Sequence, residues 1–265
     1  MLGFVGAGAM GGAIISGLLS SKAFSADDIV ITASSPERSR QLAAQFGVQA
    51  CDSAQELARY CEGGTIIMAV KPYLVCSLLE QMHLDKETLV ISVAASVSLA
   101  QLQEAAGPDI PVLRAMPNVG ARIGHSMTAL CPGSACTSDE IDTARKIFTA
   151  VGSVEEIEEK DFSLFSALAG CSPAFTALYI DALARAGVYY GFNKTMATRI
   201  AARAVEGSAA LVAEQLKQGV SAADTADCVQ SPGGTTVAGV VALEKNGFAP
   251  AVVQAVQASV ERDRK

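Results

Sequence analysis

Short apolar runs alternate with amphipathic stretches over the first 155 or so residues, and then the short runs stop. The run ending at Val5 breaks on glycine, and Ala13-Ile-Ile-Ser-Gly-Leu-Leu19 continues as a helix. Residues 28–32 form a second strand, and 36–46 a helix with proline in its first turn. Thr65-Ile-Ile-Met-Ala-Val70 is apolar throughout, as a strand covered on both faces must be, and Lys71-Pro72 ends it. Residues 88–93, 111–116 and 127–130 continue the strands, followed by a helix over 138–150 and a short strand near 153–157. Such alternation predicts a parallel sheet with helical crossovers. Beyond Glu155-Glu-Ile-Glu-Glu-Lys160 only helical periodicity remains, at roughly 161–170, 173–190, 194–218, 222–229, 235–246 and 249–263. The pattern therefore divides the chain at 157/158 into an α/β half and an all-α half.

The helix over 173–190 is apolar nearly all round, with only Asp181 and Arg185 charged. A helix of that kind needs cover on every side, more than a small domain supplies, so the all-α half is expected to be a dimerisation domain with an apolar two-fold interface. Ala177 and Ala184 lie two turns apart on one stripe of it.

The first turn of the α/β half carries Gly6-Ala7-Gly8-Ala9-Met10-Gly11 between strand and helix. That is the arrangement of a dinucleotide-binding (Rossmann) loop: the first glycine makes the tight turn, the second lets backbone approach the pyrophosphate, and the third lets helix pack on strand. The helix start then presents free N–H groups and a positive dipole end to the anion. Residues 2–21 carry no charge and could be mistaken for a signal peptide or span, but the first basic residue, Lys22, follows the run instead of preceding it. Six glycines in the first 17 residues also make a poor continuous helix.

Composition narrows the partners. With 265 residues, half of them hydrophobic, and a net charge of −7 without a basic cluster, the chain suits small molecules and copies of itself; nucleic acid and anionic membranes are not expected. Seven cysteines, an odd number without a C-x-x-C pair, read as reduced thiols of a cytoplasmic protein. Two histidines far apart, His83 and His125, suggest no metal site.

The second strand runs into Ile31-Thr-Ala-Ser-Ser-Pro-Glu-Arg38 without the closing carboxylate that holds an NAD ribose. Ser34 and Ser35 offer hydroxyls and Arg38 can reach a 2′-phosphate, which favours NADPH; Glu37, one turn on, keeps NADH open. Ser35 also reads as a helix N-cap. Further segments fall at carboxyl ends of strands: Ala69-Val-Lys-Pro72, Ser92-Val-Ala-Ala-Ser96 and Met116-Pro-Asn118. In the helical half, Ser231-Pro-Gly-Gly-Thr-Thr236 opens directly into an apolar helix, so amides near Gly234, Thr235 and Thr236 are placed to receive a carboxylate.

Taken in order, these segments together with Ala167-Leu-Ala-Gly-Cys-Ser-Pro-Ala-Phe175 closely resemble the pyrroline-5-carboxylate reductase family, from about residue 2 to residue 260. The resemblance implies NAD(P)H-dependent reduction of 1-pyrroline-5-carboxylate to L-proline, the last step of proline biosynthesis. It implies a Rossmann domain followed by an all-α dimerisation domain, with dimers assembled into a decamer. Carried over by position, Gly6 to Gly11 cradle the pyrophosphate, Ser34 and Ser35 face the adenosine ribose, and Ala69, Val70, Lys71 and Pro72 line the cofactor; Arg38 and Asn118 are further cofactor-binding candidates. Ala94 and Ala95 lie near the nicotinamide. Ser231, Gly233, Gly234, Thr235 and Thr236 receive the substrate, with the Thr236 hydroxyl at the imine nitrogen as the catalytic group and Glu159 approaching the substrate side.

Three departures accompany the resemblance. Asn118-Val-Gly120 stands where the family has Asn-Thr-Pro, Gly170-Cys-Ser-Pro173 replaces Gly-Ser-Gly-Pro, and Asp227-Cys-Val-Gln230 alters the approach to the Ser-Pro-Gly-Gly turn. A beta-hydroxyacid dehydrogenase shares the glycine-rich start and helical second half, but its helix lysine has no counterpart between Cys171 and Tyr190. The same segments would also suit a reductase of a related cyclic imine, whereas the intact Ser231-Pro-Gly-Gly-Thr-Thr236 argues against a non-catalytic dinucleotide-binding regulator.

Overall fold

The computed structural model describes residues 1–263, which divide into two compact units: Met1–Gly170 together with Asp263, and Cys171–Arg262. The first unit alternates β1 (Leu2–Val5), α1 (Ala9–Ser21), β2 (Ile29–Thr32), α2 (Pro36–Phe46), β3 (Gln49–Ala50), α3 (Ala54–Tyr60), β4 (Thr65–Met68), α4 (Pro72–Leu79), β5 (Leu89–Ser92), α5 (Leu99–Ala106), β6 (Val112–Met116), β7 (Ser126–Pro132), α6 (Ser138–Thr149) and β8 (Gly152–Glu156). The strands form one sheet in the order β3-β2-β1-β4-β5-β6-β7-β8.

Every residue of β1, β2, β4 and β5 is buried, which is why these strands read as unbroken apolar runs. On one face Ile14, Ile15 and Leu18 of α1 and Ile147 and Phe148 of α6 close over Phe4, Ile31 and Ile91. On the other, Leu57 of α3, Val75 and Leu79 of α4 and Leu102 of α5 cover Val5, Val30, Ile66 and Val90. Each fully buried side chain of this size contributes roughly 1.5–3 kcal/mol relative to exposure.

The sheet is not parallel throughout. β7 runs antiparallel to β6, with Arg114 opposite Cys131 and Ala115 opposite Leu130, and β8 is parallel to β7. The connection carries only a 3-10 segment, Val119–Ile123, too short for the crossover that a parallel partner requires.

The residues before the second unit do not form the plain helix expected over 161–170. They break into a 3-10 turn (Glu159–Asp161), α7 (Phe162–Phe165) and a π turn (Ser166–Gly170). They pack with the first unit, where buried Phe162 contacts Ala129 and Cys131.

The second unit is helical: α8 (Ser172–Tyr189), α9 (Lys194–Leu216), α10 (Ala222–Cys228), α11 (Thr235–Lys245) and α12 (Phe248–Asp263). Asn193 caps α9 by accepting from the Met196 N–H at 2.9 Å, and Ser221 and Asp224 form a capping box on α10. α8 and α9 meet through small residues, with Ala184, Ala197 and Ala201 buried. A Cβ added at Gly187 would lie 3.0 Å from Ala197 Cβ. Ala184 thus belongs to the unit's own core while Ala177 is exposed, so the two do not share one outward stripe.

Elsewhere α8 leaves its apolar surface uncovered. Leu178 is 71% and Tyr189 83% exposed, and Ala184 is its one buried residue. By length and composition the run Glu159–Tyr189 could cross a membrane. Asp181, however, binds Arg185 at 2.6 Å and also pairs with Lys194, an arrangement for an aqueous or protein-covered surface.

Candidate active site

The strand order reverses between β1 and β4, and the crevice at the carboxyl ends of such neighbours is where doubly wound sheets bind ligands. Gly6 leaves β1 with φ +98° and donates its N–H to the Thr32 carbonyl at 2.8 Å. A Cβ there would sit 2.6 Å from the Ala69 carbonyl oxygen, and one at Gly11 would sit 2.3 Å from the Gly6 carbonyl oxygen. Neither position accepts a side chain. Gly8 is the opposite case: it is exposed, and a Cβ would meet nothing within 4 Å. It is also the N-cap of α1 and supplies no side-chain cap, so the first-turn amides of Ala9 and Met10 have no side-chain partner. Two glycines enforce the turn and the third leaves its mouth open, so the loop fits a pyrophosphate. Ala7 turns its methyl into the core, leaving only its backbone for the loop.

β4 ends at Met68, and the Ala69 N–H still donates to the Val5 carbonyl at 2.8 Å, holding the two strand ends together. Ala69 and Val70 are half-buried; Lys71, the N-cap of α4, and Pro72 are exposed. After β5, Ala94 is buried and Ala95 half-buried, and the Ala94 N–H donates to the Ser92 hydroxyl at 3.4 Å.

At the end of β2 the three ribose candidates separate. Ser34 is exposed, while Ser35 caps α2, its hydroxyl accepting from the Arg38 N–H at 3.2 Å. The Arg38 guanidinium lies back along the helix, 2.6 Å from Gln41 Oε1. An exposed contact of that kind is worth about 1 kcal/mol, and a phosphate dianion competes with it readily. Hydrogen bonds from its own amide and from Ser35 hold the Glu37 carboxyl below the usual range, so it is ionised at the helix start.

Asn118 is engaged within the chain. Its Oδ1 accepts from the Gly120 N–H at 2.9 Å and its Nδ2 donates to the Ala169 carbonyl at 3.0 Å, which ties the loop after β6 to the π turn. Glu159 is engaged as well. Its Oε1 accepts from the Leu99 N–H at 2.6 Å, closing the start of α5, and from Arg114 Nη1 at 2.7 Å. Arg114 is 7% exposed, and its guanidinium carbon stands 4.3 Å from the Phe162 ring centroid. The pair fastens the segment after β8 to β6 and α5. An arginine inside the apolar run 111–116 was its signal in the sequence, because a charge on a buried strand needs a partner.

In the second unit, Ser231 to Thr236 form a turn with the Gly234 N–H donating to the Ser231 carbonyl at 3.0 Å. That amide is therefore occupied, leaving those of Thr235 and Thr236 as the donors. Gly233 has φ +71°, and a Cβ on Gly234 would lie 2.4 Å from Ser231 Oγ. Gly234 is the N-cap of α11 and offers no side-chain cap, so the helix begins with uncapped amides. Ser231, Thr235 and Thr236 are exposed. Burial pushes the Cys51 thiol up to about 11 and Cys61 up to about 12, so neither is a nucleophile near neutrality.

Comparison with known proteins shows which family this chain resembles. The family model described as pyrroline-5-carboxylate reductase dimerisation matches residues 159–265, and that described as NADP oxidoreductase coenzyme F420-dependent matches residues 1–96. The chain is 37% identical to pyrroline-5-carboxylate reductase of Escherichia coli over 266 aligned positions, covering 100% of this chain and 97% of the relative. It is 34% identical to the Arabidopsis thaliana enzyme, covering 100% and 94%. Among solved structures, 1-pyrroline-5-carboxylate reductase from Streptococcus pyogenes superposes with a TM-score of 0.85 at 36% identity, covering 99% of this chain and 97% of that one. The Plasmodium falciparum pyrroline carboxylate reductase with NADP bound gives 0.85 at 29% identity, covering 99% and 96%.

Proposed function

The chain belongs to the pyrroline-5-carboxylate reductase family, and from its geometry we propose how its own residues carry out NAD(P)H-dependent reduction of 1-pyrroline-5-carboxylate to L-proline. The observation that carries the reading is the start of α11, where Gly233 takes a left-handed φ of +71°, Gly234 packs against Ser231, and the helix amides are left uncapped for a carboxylate.

Gly6, Gly8 and Gly11, with the amides of Ala9 and Met10, hold the pyrophosphate, and Ala69 to Pro72 line the cofactor beside it. Ala94 and Ala95 leave room for a flat ring. The bound nicotinamide supplies a hydride to the carbon of the C=N bond. The nitrogen takes one proton, and a cyclic imine is basic enough to receive it from water, so no acid–base dyad is required. The amides of Thr235 and Thr236 fix the carboxylate, and the Thr236 hydroxyl orients the nitrogen. Catalysis here is chiefly alignment of two rings with water kept out.

Ser34 faces the 2′-phosphate with Arg38 swung from Gln41, which favours NADPH over NADH. The exposed apolar surface of α8 supports burial between subunits of a homo-oligomer, assembled as a decamer of five dimers in the cytoplasm. The test is oxidation of NADPH and of NADH with 1-pyrroline-5-carboxylate, beside a six-membered cyclic imine. Turnover with the five-membered substrate, reduced about 10- to 100-fold by Thr236→Ala while the variant still binds NADPH, supports the assignment. Wild-type turnover in Thr236→Ala removes that residue from the mechanism.

A further inference from the structure

Between β5 and α5 the backbone passes through Ser96 with φ 61°, in the left-handed region. For a residue bearing a Cβ this conformation costs on the order of 1 kcal/mol, and such positions concentrate at ligand sites. Glycine would adopt it freely. Two other described residues besides glycine have positive φ, Lys22 and His83. Lys22 is the C-cap of α1, where the left-handed state is common, and His83 is an exposed residue away from the strand ends. Ser96 ends no helix; it stands past the carboxyl end of a central strand, next to Ala94 and Ala95.

Ser96 also lines a cavity of about 210 Å³ with Ser98, Arg114, Met116 and Glu159. Ser163 and Asp263 also face this cavity, whereas the polar groups of Ser98, Arg114 and Glu159 are committed. Ser98 is the N-cap of α5, its hydroxyl accepting from the Gln101 N–H at 3.2 Å, and Arg114 and Glu159 bind each other. The Ser96 hydroxyl is exposed and takes part in no hydrogen bond among the described residues. The strained backbone therefore presents a free hydroxyl to the cavity.

We propose that Ser96 is a positioning residue for the cofactor, its hydroxyl hydrogen-bonding the carboxamide of the bound nicotinamide and so fixing the rotation of the ring. A carboxamide offers a donor and an acceptor, and a hydroxyl can answer either. A carboxylate ligand would instead seek a cation, and the cation of this wall, Arg114, is already neutralised by Glu159. The inference rests on the reading that the strand ends of the first unit receive the dinucleotide.

Calorimetric binding of NADP⁺ and of 2′,5′-ADP, which lacks the nicotinamide, to wild type, Ser96→Ala and Ser96→Gly tests it. Both variants are expected to bind NADP⁺ about 3- to 10-fold more weakly, the worth of one neutral hydrogen bond, and 2′,5′-ADP as tightly as wild type. Ser96→Gly, freed of strain, should in addition melt at or above the wild-type temperature. Unchanged NADP⁺ affinity in Ser96→Gly, or equal weakening toward both ligands, would overturn the proposal. A wild type that binds neither NADP⁺ nor NAD⁺ would instead refute the dinucleotide reading on which it rests.

Discussion

Glu159→Gln separates two roles for one carboxylate, that of the resemblance, on the substrate side, and that of the structure, in an ion pair with Arg114. The substitution keeps an oxygen for the Leu99 N–H but removes the charge facing Arg114, which is 7% exposed and whose Nε has no partner. Breaking a fully buried pair from one side costs roughly 3–5 kcal/mol. The Glu159 side chain is 36% exposed, so water screens part of the charge and about 1–3 kcal/mol is the expected loss. For a chain of this size that lowers the melting temperature by roughly 3–10 °C. Arg114→Met should cost less, because it strands a half-exposed carboxylate that water can solvate while the Met side chain still packs on Phe162. Thermal melts give the ordering, and steady-state assays well below the transition give KM for the imine. If KM rises tenfold or more while the melting temperature of Glu159→Gln stays at the wild-type value, Glu159 acts on substrate and the structural role is wrong.

On the proposal that Ser34 faces the 2′-phosphate, Ser34→Asp should weaken NADPH more than NADH in parallel titrations; equal losses would move the phosphate away from Ser34. Ala177→Asp should split the oligomer, since Ala177 is exposed on the single chain, whereas Ala184→Asp should prevent folding, since Ala184 is 0% exposed within it. Light scattering on the two variants separates these outcomes; an active, folded wild-type monomer would contradict the first, and a folded Ala184→Asp protein the second. With thiols pushed up to about 11 and 12, Cys51 and Cys61 should stay unreactive toward a disulfide reagent at pH 8 until the chain unfolds; rapid labelling of either in native protein, mapped by mass spectrometry, would show the burial to be wrong.

The central strands were legible because both faces of the sheet are covered, which turns β1, β4 and β5 into apolar runs with no alternation to blur them. α2, α6 and the helices of the second unit were legible from their period and their caps. α3, α4 and α5 escape such a reading: each spans seven or eight residues, too few for a period to emerge, and they sit among strands, whereas the equally short α10 follows a helical run and opens on a capping box. β3 is a two-residue edge strand, half exposed, and carries no pattern at all. The reversal at β7 was hidden because an apolar run reports burial and is silent on direction; the length of the connection from Pro117 to His125 was the available signal. At the site, the glycines at 6, 11, 233 and 234 could be read one by one, since each removes a side chain that would strike backbone or a neighbouring hydroxyl, or would have to adopt a positive φ. The charge on the buried run at Arg114 called for a partner, but that the partner is Glu159, 45 residues away, could not be read from local pattern.

The second unit shows why local pattern and tertiary context must be weighed together. An all-round apolar helix has three explanations: a domain core, a lipid bilayer, or another subunit. In the single chain α8 buries only Ala184, which removes the first. Asp181, Arg185 and Lys194 pair at its surface, and a charged triad of this kind is costly against lipid yet tolerable at the rim of a protein interface. The third explanation is left, and the matched dimerisation domain over 159–265 agrees with it. It also explains the economy of the site. The amides at the start of α11, proposed above to hold the substrate carboxylate, lie in the unit whose surface needs a partner, so on that proposal a subunit that met none would carry an incompletely supported segment, and activity should follow association.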